Sequence, residues 1–184
     1  MELPFERPGE WTQVSRVGGC IVLSLYGLFL VYAFRDTSGF LFLDNANLMI
    51  HEAGHLAFSW GGRTLTILGG TLGELIFPLL CGCYFLFHRQ TYGLAFCLFW
   101  FFENFLYIGT YMADARRCAL PLINAETEDW TILFGQWDLL LYDLKIGHLT
   151  RAIGWVGMLA AVGWIGCRMY RDAHPQAELR PLTM

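Results

Sequence analysis

A chain of 184 residues has room for one domain or one compact bundle. Hydrophobic residues make up 55% and charged residues 15%, against about 45–50% and about 25% in soluble domains, and mean hydropathy is +0.43. These figures argue for a membrane protein; the aromatic content of 16% argues against disorder, and a net charge of -4 excludes a broadly basic nucleic-acid binder, so no nucleic-acid partner is expected.

In chain order, residues 17–34 form an uncharged apolar run of 18, about the lower limit for spanning the ~30 Å hydrocarbon layer as a helix. Acidic residues precede it and no small-x-small site follows, so it reads as a retained anchor rather than a cleaved leader. Residues 40–60 are apolar at both ends but hold Asp44, Asn45, Asn47, His51, Glu52 and His55 between. An ionisable group near the bilayer centre costs about 2.5–3.5 kcal/mol, so this helix must turn its polar groups toward protein or water. Asp44 is its expected N-cap and Gly61-Gly62 its stop.

Residues 65–87 and 92–113 make two further spans, each with one charge, Glu74 and Glu103, joined by the short turn His88-Arg89-Gln90. So short a connection predicts an antiparallel hairpin. Asp114–Thr131 is polar and reads as an extramembrane or re-entrant loop; residues 132–145 predict an amphipathic interfacial helix. Residues 152–167 form a last span between Arg151 and Arg168, with Gly154, Gly157, Ala161 and Gly163 as a smooth packing surface. The expectation is an all-α polytopic membrane protein with about four to five transmembrane helices and one interfacial helix. It forms one membrane-embedded domain, core 17–167, with polar tails 1–16 and 168–184.

The sharp chemical signal is HEAGH, His51 to His55. On an α-helix the i, i+4 spacing stacks both imidazoles on one face, where they can ligate one Zn²⁺, and Glu52 can take a proton from metal-bound water. Three protein ligands plus water is the usual catalytic set, so a third ligand must come from elsewhere. The bland alternative is that these polar groups only hydrogen-bond across helices.

An HExxH helix followed by a hairpin resembles the site-2-protease type of intramembrane zinc metalloprotease, the peptidase M50 family in the broad sense. The string HEAGH, Gly69-Gly70-Thr71 with Pro78, Tyr111 to Arg116, Leu120-Pro121-Leu122 and Glu128-Asp129-Trp130 is similar to a set of small bacterial membrane proteins assigned to that class. The resemblance implies zinc, peptide-bond hydrolysis in a membrane-protein substrate, and the bacterial inner membrane. The Leu-Asp-Gly motif that supplies the third ligand in site-2 proteases does not occur here.

Asp114 is the preferred third ligand, because it follows directly from a span and is held at fixed depth. Asp129 and Glu128 would have to be delivered by a loop whose closure costs entropy, although they match a patterned position of the resemblance. Glu74 is a further candidate, with an interhelical hydrogen bond by its neutral carboxyl as the alternative; Glu103-Asn104 has the same two readings. The Cys81-Gly82-Cys83 spacing is one short of C-x-x-C, so with Cys20, Cys97 and Cys167 these are expected to be buried apolar thiols. Trp60, Trp130, Trp137 and Trp155 suit an interfacial belt.

Two functions remain open beside the zinc peptidase. One is a non-catalytic accessory or scaffold subunit of a larger membrane complex that keeps the fold. The other is an ion or lipid transporter using Glu74 and Glu103.

Overall fold

The computed structural model describes residues 9–120 and 129–174. Six α-helices succeed one another: α1 (Arg16–Arg35), α2 (Asp44–Ala57), α3 (Gly62–Phe87), α4 (Thr91–Asp114), α5 (Asp129–Gln136) and α6 (Asp143–Ala173), with 3-10 turns at Ser59–Gly61 and Leu140–Tyr142. No strand occurs among the described residues, so the protein is all-α. Four helical stretches, α1, α3, α4 and α6, are long and apolar enough to cross a membrane, which fits an integral membrane protein in a lipid bilayer.

The polar second helix differs from the expectation. It has 14 residues, about 21 Å at 1.5 Å per residue, and falls short of a ~30 Å hydrocarbon layer. Leu43 occupies the N-cap position without a side-chain cap bond. Asp44, the first helical residue, instead accepts the Leu41 N–H on Oδ2 at 2.5 Å. Gly62 has φ of 81°, a left-handed value open to glycine, and at that point the chain turns into α3.

The chain leaves α3 through Arg89, in a left-handed conformation, and returns as α4, forming the expected hairpin. The predicted interfacial helix over 132–145 is in fact two pieces. Helix α5 ends at Gln136, and α6 begins at Asp143 and continues to Ala173, beyond the apolar run that marked it in the sequence.

Helices α4 and α6 share the most extensive interface. Gly109 and Gly147 bring their backbones together there, and Gly154 and Gly157 lie against Phe102, so a Cβ at any of them would overlap the neighbouring helix. Gly163, part of the predicted smooth surface, touches nothing. One apolar cluster joins α1, α4 and α6 through Tyr26, Phe99, Leu106, Met158 and Ile165, with the Tyr26 and Phe99 rings stacked at 4.5 Å.

A second cluster gathers Ile108, Ala115, Trp130, Leu133 and Phe134, and it fastens α5 to α3 and α4. Trp130 therefore belongs to the core and not to an aromatic belt, while Trp60 and Trp137 are exposed. Of the cysteines only Cys97 is buried. Cys20, Cys83 and Cys167 lie on outer faces and Cys81 is half-buried, because the apolar exterior of a membrane bundle accepts thiols as readily as its core does.

Candidate metal centre

The buried face of α2 carries Asp44, Asn47, His51 and Gly54, and His55 sits half-buried one turn beyond His51. This face packs on α3, which runs back along it because the Gly61-Gly62 turn reverses the chain. Contact is close: a Cβ at Gly70 would overlap the His51 ring, and one at Gly54 would overlap the Gly69 carbonyl. Gly70 thus leaves room for the His51 ring against α3.

Each imidazole turns its Nδ1 edge toward an oxygen on α3. His55 Nδ1 lies 2.8 Å from the Thr66 carbonyl oxygen. A carbonyl only accepts, so Nδ1 carries a proton. His51 Nδ1 lies 3.3 Å from Glu74 Oε1. Both rings then present Nε2 to one carboxylate oxygen: Asp129 Oδ2 is 3.0 Å from His51 Nε2 and 3.2 Å from His55 Nε2. Donor atoms of His51, His55 and Asp129 all lie within 4.8 Å of one another.

Asp129 reaches this point on the first turn of α5. Its own N–H donates to the Tyr111 hydroxyl at 3.0 Å, and the Tyr111 ring centre is 6.2 Å from that of His51. Burial works to raise the Asp129 carboxyl, but the hydrogen bonds from His51 and His55 outweigh it and hold the group below the usual carboxylate range. A carboxylate facing two Nε2 atoms is a suitable donor set for a divalent cation, which would displace the Nε2 protons on binding. Tetrahedral ligands with bonds of ~2.0–2.1 Å stand roughly 3.3 Å apart, close to the 3.0 and 3.2 Å that separate Asp129 Oδ2 from the two Nε2 atoms. The donor set fits a divalent cation, with two imidazole nitrogens and one carboxylate oxygen as the possible ligands.

The remaining expected site residues lie as follows. Glu52 is an exposed residue of α2, next in sequence to His51 and three residues before His55. Asp114 is not brought to the group: its Oδ2 accepts the N–H groups of Ala119 at 2.7 Å and Leu120 at 2.8 Å, and it closes the turn that ends α4. Glu74 stands behind His51, on the side away from Asp129, so it does not complete the donor set. Glu128 lies outside the described residues.

Glu103 faces Asn47, whose Nδ2 donates to Glu103 Oε2 and to Asp44 Oδ1, both at 3.1 Å. The Thr66 carbonyl and the Tyr111 hydroxyl went unassigned in the sequence. A backbone acceptor leaves no residue signal, whereas Tyr111 lay in a string that the resemblance had marked.

No protein-family model matches the chain, and neither a curated protein nor a solved structure matches it.

Proposed function

We propose that the protein is a zinc-dependent peptidase of the membrane, intramembrane or at its surface, which hydrolyses a peptide bond of another membrane protein. His51, His55 and Asp129 hold the ion, and Glu52 is the general base. The observation that carries this assignment is the convergence of two Nε2 atoms and one carboxylate oxygen while both Nδ1 edges face oxygens on α3. Bound zinc would polarise the scissile carbonyl and lower the pKa of its water to about 7.

The protein's own groups do the rest. Glu52, exposed and next in sequence to His51, takes the proton of the attacking water and delivers it to the leaving amine. The substrate is an unwound segment, because a peptide unit inside a helix has its N–H and C=O already bonded and must be freed first. The likeness of HEAGH and the strings after it to small bacterial metalloprotease-class proteins supports placement in a bacterial inner membrane.

Elemental analysis of the purified protein in detergent, beside a membrane-protein cleavage assay, tests the assignment. Wild type and Glu52→Gln are expected to carry about one zinc each, and Glu52→Gln to lose hydrolysis alone. His51→Ala and His55→Ala are expected to be metal-free. A wild type without metal overturns the proposal and favours the accessory-subunit alternative.

A further inference from the structure

Pro78 interrupts the backbone ladder of α3. It has no N–H to give to the carbonyl four residues back, which is that of Glu74. A buried carbonyl without a partner is costly, and α4 supplies one: Asn104 Nδ2 donates to the Glu74 carbonyl oxygen at 3.1 Å and to the Trp100 carbonyl at 3.1 Å. Proline and asparagine thus fix the backbone of Glu74 from two sides.

The Glu74 side chain is 2% exposed and His51 is 5% exposed. Oε1 of Glu74 and Nδ1 of His51 are 3.3 Å apart, an ion-pair contact, and neither atom makes a hydrogen bond among the described residues. Each is therefore the partner available to the other.

We propose that Glu74 is a positioning residue of the metal centre: its carboxyl oxygen holds the His51 imidazole with the proton on Nδ1, so that Nε2 is turned to the ion. Pro78 and Asn104 place Glu74 for this task. The inference rests on the metal-centre assignment above and adds the source of its geometry. His55 needs no such side chain, since the Thr66 carbonyl does the same for its Nδ1. Helix α3 thus orients both ligands, one with backbone and one with a carboxyl group. Outer partners of ligating histidines are worth about 10- to 100-fold in metal affinity.

The test is the zinc dissociation constant of the full-length protein in detergent, by competition with a chromophoric chelator, together with the visible spectrum of the cobalt-loaded protein. Glu74→Ala is expected to weaken zinc by about 10- to 100-fold and to alter the cobalt bands. Glu74→Gln keeps an acceptor oxygen at the same reach and is expected to recover most of the affinity. Glu74→Asp keeps the charge but withdraws the oxygen by one methylene, and is expected to lose more than Glu74→Gln. Glu103→Gln, equally buried but facing Asn47, should leave both readouts unchanged.

If Glu74→Ala fails to fold, the order of the Gln and Asp variants decides. Equal affinities in wild type and all Glu74 variants, Asp binding tighter than Gln, or a loss in Glu103→Gln matching that in Glu74→Ala overturns the inference and leaves the metal centre standing. A wild type that takes up neither zinc nor cobalt overturns both.

Discussion

Helix α2 buries two polar clusters on one face, and they are built to opposite plans. Near its start, Asn47 is matched pair by pair: its amide nitrogen serves Asp44 and Glu103, and its carbonyl oxygen accepts the Trp100 indole N–H at 2.7 Å. One turn on, the polar atoms of His51, His55 and Asp129 are gathered on a single point. The first arrangement is what interhelical hydrogen bonding requires and nothing more. The second brings three atoms that could ligate a metal ion to within 4.8 Å of one another. In a polar membrane helix, burial by itself is thus no sign of chemistry; the metal-site proposal rests on convergence instead.

Substitutions can break that contrast, and the largest effect is expected at the third ligand. Asp129→Ala should weaken zinc by more than about 100-fold, beyond the range of outer partners, whereas Asp114→Ala should leave zinc stoichiometry intact and loosen only the turn after α4. Zinc analysis of both proteins checks this. A metal-free Asp114 variant beside a zinc-replete Asp129 variant would restore the ligand first expected from the sequence.

Gly70→Ala comes next. Its methyl group would overlap the His51 ring, and relieving the overlap should cost about 1–3 kcal/mol while displacing Nε2 from the shared point. Thermal melting in detergent and zinc affinity should therefore fall together.

In the paired cluster the two readouts should separate. Asn47→Ala leaves Glu103 without a donor and the Trp100 indole N–H without its acceptor, and is expected to destabilise by about 1–3 kcal/mol per stranded group, with one zinc retained. Trp100→Phe removes one donor and should cost about 1 kcal/mol, again at constant zinc. If either variant lost the metal with its fold intact, the two clusters would be one unit.

The third ligand shows why part of the site was hidden. The sequence argument charged Asp129 with the entropy of a long loop, but that term grows by only about 0.6 kcal/mol for each doubling of length. Burial of Trp130, Leu133 and Phe134 stabilises α5 by roughly 1.5–3 kcal/mol for each side chain, which exceeds that increment several times over. Those three residues sit in the stretch read as loop and interfacial helix, where their spacing did not reveal that they pack on α3 and α4. Asp114 looked better because it adjoins a span, yet adjacency brought it to the backbone N–H groups of its own turn.

The sequence by itself determined the all-α membrane class, the hairpin of α3 and α4, and the pair His51 and His55. Each rests on short-range regularities: apolar run length, loop length, and the 3.6-residue turn that stacks i on i+4. Tertiary structure alone decided that α2 is too short to cross, that Asp129 and not Asp114 meets the histidines, and that Glu74 stands behind His51. Those outcomes depend on contacts between residues dozens of positions apart, made by close glycine packing and by a proline that frees one carbonyl for a neighbouring helix. Local periodicity carries no information about such partners.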